Sequence, residues 1–146
     1  MTELRELYQE VILDHNKRPR NKGRLQEYTQ RSVGHNPLCG DIVTVYLKVN
    51  DGVIEEISFE GEGCAISTAS ASLMTEAVKG KKIREIETLF SKVHEMLTVD
   101  GADESLGSLV ALAGVREFPI RVKCATLAWH TLQAALRNET TPVSTE

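Results

Sequence analysis

Three cysteines and one aspartate are the residues of this chain whose types and spacing suggest chemistry. The cysteines are Cys39, Cys64 and Cys124, and Asp41 follows the first of them by two positions. In an extended segment, residues i and i+2 point to the same side, so the Cys39 thiol and the Asp41 carboxylate can face one point. Thiolates bind soft metal ions and attack sulfur. The pattern therefore indicates either a metal site or a reactive thiol.

The sequence context of the other two cysteines differs. Cys64 follows a Gly-Glu-Gly segment and precedes a predicted helix, where backbone amides favour a thiolate. Cys124 lies on the apolar stripe of the last predicted helix, so taken alone it would be a core residue. Together with Cys39 and Asp41 they form a ligand set suited to zinc or to an iron–sulfur cluster. No two cysteines have Cys-x-x-Cys spacing, so spacing alone leaves the metal undecided.

A nucleophilic cysteine–histidine pair is the rival interpretation of Cys39. Its partner would be His35, which lies four positions earlier, or else His94 or His130 on later predicted helices. The sequence supplies no evident third group to orient the histidine and no oxyanion motif. We therefore rank this pair below the metal site.

Composition restricts the compartment and the partners. The chain has 146 residues, which predicts one domain, and its formal net charge is −4. That charge argues against nucleic acid or an anionic membrane as the main partner. Residues 1–6 contain no apolar signal region, and no apolar run approaches the length of a membrane span. Three cysteines are too few for a disulfide scaffold, so we expect a cytoplasmic protein with reduced thiols.

The periodicity of apolar residues predicts the elements that position these side chains. A helix is predicted at 3–16 and a weak strand at 28–34. A hairpin at 41–50 and 53–60 turns at Asp51-Gly52, a strong hairpin signal. Alternation in its second strand places Val53, Ile57 and Phe59 on the apolar face. Four helices are predicted after the hairpin, at 65–79, 82–97, 105–113 and 119–138.

This order of elements predicts an α+β fold. We expect a small antiparallel β-sheet of about three strands, with helices packed on one face. Residues 1–138 would form a single domain, and residues 139–146 a polar C-terminal tail.

Three segments around the cysteines resemble one known family. They are Asn-Pro-Leu-Cys-Gly-Asp at 36–41, Gly-Glu-Gly-Cys-Ala-Ile-Ser at 61–67, and Arg-Val-Lys-Cys-Ala-Thr-Leu-Ala-Trp at 121–129. This pattern resembles the U-type iron–sulfur cluster assembly scaffolds, namely IscU, SufU and the N-terminal domain of NifU. The resemblance extends from the first helix to about Leu136, and it implies the α+β fold of that family.

Two features make the chain similar to the SufU branch. Lys123 stands where IscU-type members carry a histidine, and 59 residues lie between Cys64 and Cys124, which fits an insertion at about 98–115. The chaperone-recognition segment of IscU, Leu-Pro-Pro-Val-Lys, is replaced by Glu-Phe-Pro-Ile-Arg at 117–121. The resemblance therefore gives no support for handling by the IscU chaperone.

The resemblance implies a zinc-dependent sulfurtransferase that works with a cysteine desulfurase. A SufS-like desulfurase dependent on pyridoxal phosphate would pass persulfide sulfur to Cys39, and downstream proteins would accept the sulfur or a cluster. Zinc would be held by Cys39, Asp41, Cys64 and Cys124, and a desulfurase histidine would replace one ligand to free Cys39. Two alternatives remain open. One is transient assembly and transfer of a [2Fe–2S] cluster on the same residues, and the other is a structural zinc module without sulfur chemistry.

Overall fold

A sheet with helices on one face forms the framework of the protein. The computed structural model describes residues 2–37, 40–98, 104–137 and 143–144. The elements, in chain order, are α1 (Thr2–Lys17), β1 (Gln30–Asn36), β2 (Asp41–Asn50), β3 (Val53–Glu62), α2 (Ala65–Val78), α3 (Ile83–Thr98), a 3₁₀ segment (Glu104–Glu117), α4 (Pro119–Leu136) and β4 (Val143–Ser144). The predicted α+β class is confirmed.

The sheet has the strand order β3-β2-β1-β4. Strands β1, β2 and β3 pair antiparallel, as predicted, whereas the two-residue β4 pairs with β1 in parallel. Helix α4 packs on β1 and β2, α2 packs on β3 and α4, and α1 packs on α2. Within the described ranges, no helix has the length and apolar character needed to cross a membrane.

A bulge in β3 makes one sequence prediction wrong. The pairing shifts between Lys48, which lies opposite Glu56, and Val49, which lies opposite Ile54, so Glu55 has no partner of its own. One extra residue reverses the alternation of side chains beyond it. Ile54 therefore faces the core with 0% exposure, whereas Val53, predicted for that face, is only half-buried.

A glycine allows α4 to lie close against β1. A Cβ atom built at Gly34 would lie 1.9 Å from Thr131 Oγ1 and 3.1 Å from Leu127 Cδ1. Only glycine fits this crossing, because real Cβ atoms do not approach other heavy atoms so closely. The apolar side of α4 contributes Leu127, Trp129 and Leu132 to the core, each almost completely buried.

Near the end of α1, a buried histidine joins this helix to α2. His15 Nδ1 lies 2.7 Å from Ser72 Oγ, and Ser72 Oγ also accepts the backbone N–H of Arg20 at 2.8 Å. The Ser72 hydroxyl can therefore donate its proton to Nδ1, an arrangement that fits the Nε2–H tautomer of a neutral imidazole. In that tautomer Nε2–H faces Glu76 Oε1 at 3.5 Å. The sequence showed His15 near the helix end but not this contact.

This histidine should make stability depend on pH. Burial, and then the positive charge of Arg20, lower the pKa of His15 below its usual value of 6.5, although Glu76 and Asp14 oppose the shift. The unfolded chain therefore binds a proton more readily than the folded chain. The stabilisation is complete above pH 6.5 and is lost as the pH falls from there towards the lower folded-state pKa.

Chemical denaturation between pH 7.5 and pH 5.5 measures this effect. The free energy of unfolding of the wild-type protein should fall over that interval, and the fall should be smaller in His15→Gln. His35→Gln changes an exposed histidine and serves as the control, with a fall equal to that of wild type. An identical pH dependence in His15→Gln and wild type would show that His15 does not contribute to the pH dependence of stability.

Candidate metal centre

Three of the four predicted ligands meet at one point of the fold. One carboxylate oxygen of Asp41 and the sulfur atoms of Cys64 and Cys124 all lie within 4.8 Å of one another. Asp41 is the first residue of β2, Cys64 caps α2, and Cys124 lies in the second turn of α4. The fourth predicted ligand, Cys39, lies outside the described residues. Elements far apart in the sequence therefore contribute to one small cluster of metal-binding atoms.

Asp41 is a fully buried carboxylate with 0% exposure. Its Oδ1 accepts the backbone N–H of Cys64 at 2.9 Å, and its Oδ2 lies 4.0 Å from the Cys64 sulfur. Among the described residues, no lysine, arginine or histidine forms an ion pair with it. A buried carboxylate is normally paired with a cation or bound to a metal. The position of Asp41 thus fits a cation between it and the thiols.

Cys64 occupies the N-cap position of α2. Its backbone is extended there (φ −71°, ψ 170°), and its sulfur accepts the Ser67 backbone N–H at 3.4 Å. The preceding glycine leaves room for the carboxylate, because a Cβ atom on Gly63 would lie 2.9 Å from Asp41 Oδ1 and would force one of the two to shift. The N-terminus of the helix directs partial positive charge towards the sulfur.

Cys124 is fully buried, and its sulfur faces the end of β1. Asn36, the last residue of that strand, directs Nδ2 to the Cys124 sulfur at 3.8 Å. Asn36 is also the residue opposite Asp41 in the antiparallel pairing of β1 with β2. In the sequence, Asn36 lies within the first cysteine segment, and its type and position there indicate no role. Only the strand register and the crossing of α4 reveal its place beside the site.

The histidines lie outside this group. None of the four belongs to the cluster of Asp41, Cys64 and Cys124. His94 and His130 pack instead around Phe90, with ring centroids 6.1 Å and 5.5 Å from it. Burial, and then the neighbouring His94, lower the pKa of His130. His35 is exposed on β1.

The donor set fits zinc on chemical and geometric grounds. Zinc binds thiolate sulfur at about 2.3 Å and carboxylate oxygen at about 2.1 Å in a tetrahedron, so neighbouring donor atoms are about 3.5 Å apart. The donors of Asp41, Cys64 and Cys124 lie within 4.8 Å of one another, so movements of about 1 Å would bring them to that spacing. Three donors leave one position of a tetrahedron for a further ligand.

Comparison of the sequence with known families gives a match over most of its length. Residues 7–140 match the family described as the NifU-like N-terminal domain. The chain belongs to this family. The three cysteine segments identified from the sequence all lie inside the matched region.

Relatives of this NifU-like domain are named either as a sulfurtransferase or as cluster assembly scaffolds. The zinc-dependent sulfurtransferase SufU of Bacillus subtilis is 44% identical over 135 residues, covering 91% of each chain. The iron–sulfur cluster assembly scaffold protein IscU of Thermotoga maritima is 41% identical over 137 residues, covering 93% of this chain and 96% of the relative. Sequence identity alone does not separate the two activities.

Solved structures share the fold. The N-terminal part of a nitrogen-fixing NifU-like protein from Brucella abortus superposes with a TM-score of 0.83 at 27% identity, covering 92% of this chain and 95% of that chain. FiSufU from Fervidobacterium islandicum AW-1 superposes equally well at 35% identity, covering 87% of this chain and 94% of that one. The predicted family and the arrangement of sheet and helices are thereby confirmed.

Proposed function

We propose that this NifU-like domain is a zinc-dependent sulfur acceptor of iron–sulfur cluster biogenesis. Zinc is held by Cys39, Asp41, Cys64 and Cys124. The observation that carries this proposal is the approach of two thiols and a buried carboxylate to within 4.8 Å of one another. The chain is also 44% identical to a relative named as a zinc-dependent sulfurtransferase, and this similarity adds support.

Cys39 is the proposed nucleophile. Cys39 lies two residues before Asp41, so the segment that supplies Asp41 also contains the proposed fourth ligand. The donor is the persulfide of a cysteine desulfurase dependent on pyridoxal phosphate. The Cys39 thiolate attacks the terminal sulfur, the sulfur–sulfur bond of the donor breaks, and the desulfurase cysteine leaves as a thiolate. Zinc, when bound, keeps the thiols deprotonated at neutral pH.

Scaffolding of a transient [2Fe–2S] cluster is the second candidate. The relatives named as IscU scaffolds favour it, since one of them is 41% identical over nearly the whole chain. The same thiols and carboxylate would hold the iron atoms. Lys123, which precedes Cys124, favours the sulfur acceptor instead, because IscU-type scaffolds are expected to carry a histidine there.

A sulfur-transfer assay tests the proposed nucleophile. Purified protein is incubated with a cysteine desulfurase and cysteine, and its intact mass is then measured. The wild-type protein should gain one sulfur atom per chain, located on Cys39 by peptide mapping, and Cys39→Ser should gain none. His35→Gln is the matched control, because it should still accept sulfur unless a cysteine–histidine pair activates Cys39. Wild-type protein that stays unmodified would refute the sulfur-acceptor function.

Metal analysis separates the candidates. One zinc per chain together with sulfur transfer supports the sulfur acceptor. Iron with an equal amount of inorganic sulfide, and the absorption of a [2Fe–2S] cluster, would support the scaffold. Bound zinc without sulfur transfer would indicate that the protein is a structural zinc module.

A further inference from the structure

Asn36 is a buried polar side chain beside the site that the proposed function does not use. It ends β1, lies opposite Asp41 in the strand pairing, and has 0% exposure. A buried amide that loses its hydrogen bonds with water requires partners in the protein. Its Nδ2 points to the Cys124 sulfur at 3.8 Å, so one of its protons is directed at a proposed metal ligand.

The fold places this amide by a specific packing contact. Gly34 precedes Asn36 by two residues on the same face of β1, and its lack of a side chain lets α4 cross closely. Thr131, at that crossing, lies about two turns beyond Cys124 on α4. The close crossing therefore brings the end of β1 within reach of the Cys124 sulfur.

Each of the two described sulfur atoms in the site receives an N–H donor. The Ser67 backbone amide donates to Cys64 at 3.4 Å, and the Asn36 side chain donates to Cys124 at 3.8 Å. Hydrogen bonds to a thiolate favour its charged form and reduce its nucleophilicity. Outer groups of this kind also orient metal ligands.

We propose that Asn36 is a positioning residue of the site. Its side-chain amide donates to the Cys124 sulfur, holds that sulfur towards the metal, and keeps Cys124 an anchoring ligand rather than a sulfur acceptor. This inference rests on the zinc site of the proposed function but not on sulfur transfer. If Asn36 only filled space between β1 and α4, its side-chain amide would form no hydrogen bond with the Cys124 sulfur.

The wild-type protein can be tested directly by NMR after zinc is exchanged for an NMR-active cadmium isotope. A hydrogen bond to a metal-bound sulfur gives a scalar coupling between the amide proton and the metal nucleus. We expect one coupling to the Asn36 side-chain amide and one to the Ser67 backbone amide. The Ser67 coupling is the internal reference. A coupling at Ser67 with none at Asn36 overturns the proposal.

A variant pair gives a second, independent readout. Asn36→Leu keeps the approximate volume and removes the donor, and it should weaken zinc binding about 10- to 100-fold in a chelator competition. Ser32→Ala is the matched control, because Ser32 lies on the same face of β1 and its buried hydroxyl has no hydrogen-bond partner among the described residues. Its zinc affinity should stay within about twofold of wild type. Equal affinities for Asn36→Leu and Ser32→Ala overturn the proposal.

The two proposals fail in different ways. If the desulfurase transfers no sulfur while the cadmium coupling at Asn36 is present, the sulfur-acceptor function is wrong and the positioning role stands. If sulfur reaches Cys39 while the cadmium coupling at Asn36 is absent, the positioning role is wrong and the sulfur-acceptor function stands. Failure of cadmium and zinc to bind at all refutes both the proposed zinc site and the role of Asn36.

Discussion

Removal of zinc should lower the melting temperature of the protein by about 10 °C. In the proposed site the ion joins the start of β2, the cap of α2 and the second turn of α4, through Asp41, Cys64 and Cys124. Without the ion, Asp41 remains a fully buried carboxylate that makes no ion pair with any described residue. A ligand present at a thousand times its dissociation constant stabilises by about 4 kcal/mol. In a domain of this size, that is about 10 °C.

Differential scanning calorimetry before and after chelation measures this shift, with zinc content determined on the same samples. Addition of one equivalent of zinc should restore the original melting temperature. Cys124→Ser supplies the control, because a protein that has lost a ligand should start at a low melting temperature and respond little to the chelator. An unchanged melting temperature after complete loss of zinc from the wild-type protein would show that the ion does not hold these elements together.

The helices and strands could be predicted from the sequence wherever the local turn and helix-start residues agree with the tertiary packing. The Asp51-Gly52 turn fixes the hairpin, and β2 spans Asp41–Asn50 as expected. Pro119 begins α4, as a proline in the first turn should. The face predicted for Val53 was wrong, since the bulge at Glu55 arises from pairing with a second strand.

The site was predictable only in part from the residues. Asp41 and Cys64 stand where a strand and a helix begin, and such positions are visible in sequence. Cys124 lies on an apolar stripe, and without the family resemblance its periodicity favours a core residue. Its approach to Asp41 depends on how α4 crosses β1, a distance set by Gly34 and Thr131. Asn36 was missed for the same reason.

The crossing of α4 over β1 should therefore control both stability and the site. We expect Gly34→Ala to lower the free energy of unfolding by about 3 kcal/mol, the upper end of the range for overpacked cores. The added Cβ atom would lie 1.9 Å from Thr131 Oγ1, so either the Thr131 side chain must rotate and give up its hydrogen bond or the helix must move away from the strand. Denaturation in urea at constant zinc measures the change. Gly114→Ala is the control, because a Cβ atom there meets nothing within 4 Å, and its effect should be within about 0.5 kcal/mol.

A double-mutant cycle tests whether this clash is the cause. Thr131→Ala removes Oγ1, which is the atom that a Cβ at Gly34 would strike and also the hydroxyl oxygen that donates to the Leu127 carbonyl. The double variant should be more stable than the sum of the two single effects predicts, by about 1 kcal/mol or more. Because α4 carries Cys124 and β1 carries Asn36, zinc affinity should fall in Gly34→Ala and recover in the double variant. Strict additivity, or a loss of stability with unchanged zinc affinity, would show that the crossing does not set the geometry of the site.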